Sequence, residues 1–196
     1  LFRSERSSGL IAALEHIRRE SPAKLGNAPI SIGVWLGDKT TPNKRDKALE
    51  ILAGRGNKED SAHPFVLSKC PWCGAAFAIR ESNKTWVGYK KATEKPPTIR
   101  FICGDDTCDF SRESTALPIW ITDEDVYDFK PSFVLGTVDK FAQIAWQPKA
   151  RALFNIGDDG TRVGLPPNLI IQDELHLISG PLGSLVGLYE TVIEEL

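Results

Sequence analysis

Four cysteines arranged in two pairs constrain this chain more than any other feature of its sequence. The pairs are Cys70-Pro-Trp-Cys73 and Cys103-Gly-Asp-Asp-Thr-Cys108, and 29 residues separate them. Each pair places two thiolates on one turn, and two such turns supply the four ligands of a closed tetrahedral zinc site. We therefore predict one structural Zn²⁺ ion bound by Cys70, Cys73, Cys103 and Cys108.

Two other interpretations of the cysteines remain open. Cys70 and Cys73 could form a redox pair, although a thioredoxin-like site needs only one Cys-x-x-Cys and leaves the second pair unexplained. Alternatively, all four could be unlinked thiols in a core. Because no signal peptide precedes the pairs, their pattern favours a reducing compartment, and we expect a cytoplasmic protein. No apolar run approaches the length of a membrane span, so no membrane association is expected.

The residues around the cysteines differ in character from the rest of the chain. Residues 54–116 contain short aromatic-rich segments, "TWVGYKK" and "TIRFIC", and a Pro96-Pro97 turn. A hairpin at about 86–101 can fill the long gap between the cysteine pairs. Gly74 allows the backbone conformation after the first pair, and Gly104 helps the second pair to turn. We predict a β-rich, zinc-ribbon-like insert over 54–116.

Before the insert, residues 1–53 follow an α/β pattern. Residues 4–20 are predicted to form a helix, and Ile30–Leu36 to form a buried strand. Thr41 is predicted to cap a helix over 42–53, with proline in its first turn. The predicted buried face of the first helix consists of Leu10, Ala13, Leu14 and Ile17.

After the insert, residues 117–196 resume the alternation of strand and helix. Strands are predicted over 117–121, 133–137 and 169–171. One helix follows Thr137, buries Phe141, Ile144 and Ala145, and ends near Pro148, whereas another begins at Pro181. Apolar strands that alternate with helices indicate a parallel sheet. The predicted fold is therefore an α/β sheet in two parts, 1–53 and 117–196, interrupted by the insert.

Two adjacent carboxylates follow the last predicted strand. Asp173 and Glu174 come directly after "NLIIQ", and His176 follows two positions later. Ligands of open parallel sheets bind at the carboxyl ends of the strands. There, one carboxylate suits Mg²⁺ bound to nucleotide phosphates, and its neighbour can orient an attacking water. The alternative is that Asp-Glu merely ends a strand and that His176 is structural.

The sequence "QDELH" resembles the DExH box of superfamily-two helicases, "VLGTVDKF" resembles their "TPEKF" element, and "IGVWLGD" is similar to their strand ending in Gly-Asp. This chain resembles the DrmA-type helicases of the DISARM phage-defence system in three segments, "WLGDKTTPN", "GTVDKFAQI" and "QDELHLISGPLG". Val138 departs from this pattern, because it replaces the usual proline. The resemblance covers roughly 1–53 and 117–196 and implies part of a RecA-like first lobe.

The resemblance also implies roles for individual residues. Asp173 would hold Mg²⁺ with ATP, Glu174 would be the catalytic carboxylate, and His176 would couple the ATP site to the nucleic-acid site. Residues near the path of the DNA or RNA strand would be Thr137, Asp139 and Lys140.

A phosphate-binding loop is missing from this pattern. In Gly33–Thr40 the residue before the lysine is Asp38, not glycine, which fails the P-loop pattern. We expect the loop to lie before Leu1 and the second lobe to lie after Leu196. The expected partners are thus the remainder of the helicase, DNA or RNA, and other defence-complex subunits. Alone, this chain is expected to be inactive.

Basic and aromatic residues are mixed within the insert. Such a mixture suits single-stranded nucleic acid, although a solvated strand face above a packed underside has the same composition. The formal net charge of −2 does not itself indicate a nucleic-acid partner. A rival function is a non-enzymatic zinc-binding module that docks a protein or nucleic acid. The basic and aromatic residues that are mixed within the insert are Lys84, Trp86, Tyr89, Lys90, Lys91, Lys95 and Arg100.

Overall fold

The structure is a computed structural model, and it describes residues 2–38, 40–54, 65–80, 85–92, 95–173 and 191. The helices are α1 (Phe2–Glu20), α2 (Pro22–Leu25), α3 (Arg45–Leu52), α4 (Asp123–Phe129) and α5 (Val138–Ala142). The strands are β1 (Ile32–Trp35), β2 (Ala78–Arg80), β3 (Thr85–Val87), β4 (Tyr89–Lys91), β5 (Ile99–Phe101), β6 (Ile119–Trp120) and β7 (Phe133–Gly136). Short 3₁₀ helices are Glu113–Thr115, Gln143–Ala145 and Pro148–Phe154.

A small sheet forms the α/β part of the molecule. Its strand order is β6-β1-β7, and β1 runs parallel to β6, with Ile32 opposite Ile119. All four residues of β1 are buried, as expected for a central strand of a parallel sheet. Gly33 is needed there, since a Cβ atom would lie 3.0 Å from side-chain atoms of Pro131 and Val126. The predicted α/β class is confirmed, and so is the predicted strand within Ile30–Leu36.

The region with the cysteines consists of short antiparallel pairs. β2 pairs with β3, and β4 pairs with β5. The β4–β5 pair confirms the hairpin predicted at about 86–101. Gly88, between β3 and β4, has φ +95°, and a Cβ there would lie 2.2 Å from the Phe77 ring. Only glycine fits this bend.

The chain divides into two compact units. One comprises Leu1–Val126 and Pro131–Leu135, and the other comprises Tyr127–Lys130 and Gly136–Leu196. In the first unit, one core joins α1 and β1 to residues of the predicted insert, among them Phe77 and Phe101. The boundaries predicted at 53 and 116 stay predictions, but the hydrophobic core runs across both.

The buried face of α1 is not the predicted one. Leu10, Leu14 and Ile17 are 62%, 40% and 51% exposed. The side of α1 that is turned inwards carries mainly small and polar residues, together with Ile11. This prediction was wrong because α1 does not pack through an apolar stripe. Close packing against neighbouring residues and an ion-pair network around the buried Glu15 hold it in place. The buried residues are Ser4, Ser8, Ile11, Ala12 and Glu15.

That network centres on Glu15, which is 1% exposed. Its carboxylate accepts hydrogen bonds from Arg18 Nε at 2.7 Å, Arg19 Nε at 2.8 Å and the Ile30 amide at 2.8 Å. Burial opposes its ionisation, but the two arginines and the amide outweigh burial and lower the pKa of Glu15 to about 2. Arg19 also donates to the carbonyl of Thr115 at 3.2 Å, which ties α1 to the chain that leads into β6.

The helix predicted over 42–53 begins later than expected. α3 starts at Arg45, and the Thr41 hydroxyl donates to the Leu36 carbonyl at 3.1 Å instead of capping the helix. The Arg45 amide at the start of α3 donates to the Glu124 carboxylate at 2.9 Å. Long-range capping by Glu124 therefore replaces the local cap that the sequence predicts.

In the second unit, α5 is short and continues into two 3₁₀ helices. Ile144 and Phe154 are buried at 1% and 4% exposure. Pro148 begins the last 3₁₀ helix, which agrees with its predicted role as a helix breaker. A hairpin-like turn follows, in which Ile156 and Arg162 form an isolated bridge.

The strand predicted over 169–171 is not formed. Leu169, Ile170 and Ile171 have no regular secondary structure and are 74%, 40% and 75% exposed. Within the described part of the chain no strand pairs with them, so their backbone and side chains lack the neighbour that a buried strand requires. The predicted helix from Pro181 lies outside the described residues, apart from Thr191, which is helical.

No helix among the described residues has the length and apolar character needed to cross a membrane.

Candidate metal centre

The structure brings the four cysteines together. Their Sγ atoms all lie within 4.8 Å of one another, and the Cys73 and Cys103 sulfurs are 3.4 Å apart. Thiolates at the corners of a tetrahedron around Zn²⁺, at a Zn–S distance of about 2.3 Å, would lie about 3.8 Å from each other. The cluster is therefore close to the size that a single metal ion needs, and its residues could hold a metal such as zinc. This geometry argues against unlinked core thiols.

The first pair is held on a tight turn. The Gly74 amide donates to the Cys70 carbonyl at 2.9 Å, and the Cys70 amide donates to the Ala75 carbonyl at 2.8 Å. Gly74 has φ +82°, a left-handed conformation that side chains disfavour. The predicted role of Gly74 is thus confirmed. We refer to residues 70–75 as the knuckle.

The second pair lies on a wider loop. The Cys103 amide donates to the Phe110 carbonyl at 2.8 Å, and the Cys108 amide donates to the Asp105 carbonyl at 3.0 Å. Gly104 lies at a bend of the chain, and close packing also requires glycine there: a Cβ atom would lie 2.2 Å from Cγ1 of Val87. The bend agrees with the predicted role of Gly104, and the structure adds its close packing against Val87.

The protonation preferences of the thiols differ within the cluster. Burial opposes ionisation of Cys73, but the Ala75 amide and the other three thiols donate to its sulfur and lower its pKa. Burial raises the pKa of the Cys103 thiol to about 11, and burial also raises the pKa of Cys108. Four thiols in this space cannot all ionise without a cation. A divalent metal supplies that compensating charge.

Helix α1 packs directly against the knuckle. A Cβ atom on Gly9 would lie 3.2 Å from the Pro71 carbonyl oxygen, so Gly9 allows the helix to approach closely. The Trp72 ring lies 4.9 Å from the His16 ring, centroid to centroid. Trp72 Nε1 donates to the Asp109 carboxylate at 3.1 Å, which links the knuckle to the second cysteine loop. Sequence reasoning missed these contacts, because nothing local relates α1 to residues more than fifty positions away.

Of the predicted acidic box, the structure describes Asp173 alone. Asp173 is exposed and follows the exposed residues 169–171, whereas Glu174 and His176 lie outside the described residues. Their predicted roles with Mg²⁺, ATP and water stay predictions.

The predicted nucleic-acid residues lie at the start of α5. Thr137 occupies the N-cap position and accepts from the Lys140 amide at 3.0 Å through its carbonyl, but its side chain makes no capping hydrogen bond. Thr137 and Asp139 are exposed, whereas Lys140 is 1% exposed. The structure buries the Lys140 side chain, and its predicted contact stays a prediction. The predicted contacts of Thr137 and Asp139 stay predictions.

Comparison with known proteins gives one informative relative. The sequence matches no protein-family profile. It is similar to the DISARM protein DrmA of Bacillus paralicheniformis, with 33% identity over an alignment that is 222 positions long. The match covers 98% of this chain but 19% of the relative, so the chain spans less than a quarter of that protein's length. This similarity supports the DrmA-type resemblance of the sequence motifs.

Proposed function

We propose that this chain forms part of the first, RecA-like lobe of an ATP-dependent helicase or translocase that acts on nucleic acid in phage defence. The observation that carries the proposal is the similarity to a DISARM protein across 98% of the chain. The sequence Asp173-Glu174-Leu175-His176 and the parallel pairing of β1 with β6 are consistent with it. The whole protein would act in the cytoplasm with the other subunits of its defence complex.

In this proposal, the acidic box serves ATP hydrolysis. Asp173 would hold Mg²⁺ in complex with nucleotide phosphates, and Glu174 would orient and polarise the attacking water. His176 would relay the state of the ATP site to the bound DNA or RNA. Because the sequence holds no P-loop, this chain alone should bind ATP weakly and hydrolyse none.

The proposed role of the cysteines is structural. We propose that Cys70, Cys73, Cys103 and Cys108 bind one Zn²⁺ ion. A closed set of four thiolates leaves no coordination position for a substrate, which is typical of structural zinc sites. The ion would join the knuckle to the second cysteine loop, and through Trp72 and Pro71 it would support the packing of α1.

The decisive test uses the full-length protein that contains this chain. Glu174→Gln should nearly abolish ATP hydrolysis while ATP binding remains, because the amide keeps the shape and loses the charge that acts on water. Asp173→Asn should instead weaken Mg²⁺-nucleotide binding. His176→Ala should reduce hydrolysis stimulated by nucleic acid more than basal hydrolysis.

Both the ATPase rate, with and without single-stranded nucleic acid, and nucleotide affinity are measured. Asp158→Asn is a matched control, since Asp158 is an exposed carboxylate outside the acidic box. Unchanged hydrolysis in Glu174→Gln protein would contradict the proposal. The cysteine cluster would then favour the second candidate, a non-enzymatic zinc module that docks a partner.

A further inference from the structure

The four cysteines differ in their exposure to solvent. Cys70, Cys103 and Cys108 are 1%, 4% and 7% exposed. Cys73, by contrast, is an exposed residue, and Gly74 beside it is exposed and carries no side chain. A small reagent in solution therefore reaches Cys73 more readily than the other three cysteines.

The accessible sulfur lies beside a second sulfur, which belongs to the other cysteine loop. Cys73 Sγ is 3.4 Å from Cys103 Sγ. A disulfide bond is about 2.05 Å long, so the two sulfurs need to approach each other by about 1.4 Å to form one. The Cys103 amide donates to the Phe110 carbonyl at 2.8 Å, and the Asp105 amide donates to the Cys103 sulfur at 3.5 Å, which holds that sulfur in place. An accessible thiol next to a second thiol is typical of redox-sensitive cysteine pairs.

The charges around the cluster select the kind of oxidant that can approach it. Residues 103–109 contain three carboxylates and no cation. These carboxylates belong to Asp105, Asp106 and Asp109, and all three residues are exposed. Their negative potential repels anionic oxidants but not an uncharged one. A small neutral peroxide, such as hydrogen peroxide, is therefore the oxidant that fits this site.

We propose that the cysteine cluster is a peroxide-sensitive switch, in which Cys73 and Cys103 form a disulfide and the site releases its metal. The inference rests on the proposed zinc site and adds regulation to it. Every sulfur of a four-thiolate site is a metal ligand, so a disulfide removes two of the four. Cys70 and Cys108 are then the only thiolates that remain, and two ligands are too few for a structural zinc site.

The oxidation takes place in two steps. The Cys73 sulfur attacks one oxygen of hydrogen peroxide, so that an S–O bond forms, the O–O bond breaks, and the hydroxide that leaves takes up a proton to become water. The Cys103 thiolate then attacks the sulfur of this sulfenic acid, so that the S–S bond forms, the S–O bond breaks, and a second hydroxide leaves and becomes water. The two thiolates lose two electrons in total, and hydrogen peroxide gains them.

Helix α1 would respond to this oxidation, because it packs on the knuckle. A Cβ atom on Gly9 would lie 3.2 Å from the Pro71 carbonyl oxygen, and the rings of His16 and Trp72 are 4.9 Å apart. Metal binding and folding are coupled, so the knuckle loses its fixed conformation together with the metal. The contacts of α1 with Pro71 and Trp72 then loosen, and oxidation at Cys73 is converted into a change at α1.

The test treats reduced, zinc-loaded full-length protein with hydrogen peroxide. Zinc release is followed with a colorimetric chelator, and disulfides are mapped by mass spectrometry of peptides from the unreduced protein. We expect release of the zinc, a peptide pair joined through Cys73 and Cys103, and faster hydrogen exchange in α1. Dithiothreitol and added zinc should reverse all three changes, because the disulfide is the only covalent change.

Two histidine variants separate the accessible cysteine from a buried one. Three cysteines and one histidine still form a complete structural zinc set, so Cys73→His should keep zinc while it removes the accessible thiol. Its zinc release by peroxide should be about ten-fold slower than in wild type, or slower still, because oxidation follows thiol exposure. Cys108→His is the matched control: it makes the same replacement at a buried ligand and should release zinc at close to the wild-type rate.

Several outcomes would overturn the switch. They are a disulfide between Cys70 and Cys73 in place of the expected one, zinc that stays bound in excess peroxide, and equal release rates in Cys73→His and wild-type protein. If a histidine variant does not bind zinc, the peptide map of the wild-type protein decides alone. Reduced protein without zinc contradicts the zinc site itself, whereas the ATPase proposal is judged by hydrolysis in Glu174→Gln protein, so the failures are distinguishable.

Discussion

The cysteine region and the segment that leads to the acidic box are both rich in apolar residues, but the cysteine region buries them and the segment leaves them exposed. Around the cysteines, Phe77, Phe101 and Phe110 are each 0% exposed. Leu165 and Ile171, by contrast, are 80% and 75% exposed. The cysteine region has packing partners for its apolar side chains, because it contains four closely spaced cysteines and two antiparallel strand pairs and packs against α1. The segment supplies one potential strand, which cannot be buried without a neighbour. A local motif therefore predicts structure only where the described chain also supplies its surroundings.

The largest expected effect concerns the metal. Cys70→Ser should remove bound zinc and lower the free energy of unfolding by about 4 kcal/mol or more, because metal-binding energy is also folding energy. Zinc content by elemental analysis and thermal denaturation measure the two effects. Asp106→Ser is a control in the second cysteine loop and should retain zinc. Reduced protein that holds no metal, or a Cys70→Ser variant as stable as wild type, would contradict the prediction. Metal binding would then not distinguish the cysteine region from the exposed segment.

The next effect concerns Glu15, which holds α1 against the rest of the first unit. Its pKa is about 2 in the folded state against an ordinary value of 4.5, so its stabilisation is fully present above about pH 4.5 and is lost as the pH falls towards 2. The difference corresponds to about 3 kcal/mol. Glu15→Gln should cost about 2–3 kcal/mol at pH 7 and flatten the acid limb of the stability curve.

The measurement is denaturant unfolding between about pH 2 and pH 7. Glu20→Gln on the same helix is the control, since the Glu20 side chain is 67% exposed, and it should change stability by less than about 0.5 kcal/mol. A Glu15→Gln protein with an unchanged acid limb would show that the carboxylate does not anchor α1.

A smaller effect is expected at Gly104. Gly104→Ala places a Cβ 2.2 Å from Val87 Cγ1 and should destabilise the protein by about 1–3 kcal/mol through overpacking. The double variant with Val87→Ala should recover part of the loss, because it removes the atom that clashes. Gly37→Ala is the control, since no atom lies within 4 Å of its Cβ position. Equal melting temperatures for Gly104→Ala and Gly37→Ala would contradict the close packing.

The smallest effect is expected in the exposed segment. Ile171→Ala should change the free energy of unfolding of the 196-residue chain by less than about 0.5 kcal/mol, because the side chain is already 75% exposed. Ile119→Ala, at a site that is 1% exposed in β6, should cost about 2–5 kcal/mol. Comparable losses at the two isoleucines would mean that the segment is buried in solution, and the comparison between the regions would fail.

Sequence patterns predicted the local elements better than the faces that those elements bury. β1 and the β4–β5 hairpin were predictable from short apolar runs bounded by turn residues, and Gly74 from its position after a cysteine pair. The buried face of α1 was not predictable, because Glu15 is fixed by the Ile30 amide and by Arg19, which also donates to the Thr115 carbonyl. The late start of α3 has the same origin, since its cap comes from Glu124. Contacts of this range leave no periodic signal.

At the candidate site, the four cysteines were predictable because metal ligands have a characteristic spacing. The support of the knuckle by Gly9 and His16 was not, since neither residue carries a metal-site signature. Lys140 shows the reverse case: its sequence context suggested an accessible cation, but packing buries it.

The contact between α1 and the knuckle bears on the order in which the chain folds. The cysteines span residues 70–108, whereas Arg19 bonds a carbonyl 96 positions away. Closing the shorter loop costs less chain entropy than closing the longer one, and local contacts generally form sooner. The two cysteine-containing turns can therefore form first, so that Pro71 and Trp72 are already in place when α1 packs against them. Helix α1, although it is synthesised earlier, would dock last, so its docking rate should depend on whether metal is already bound.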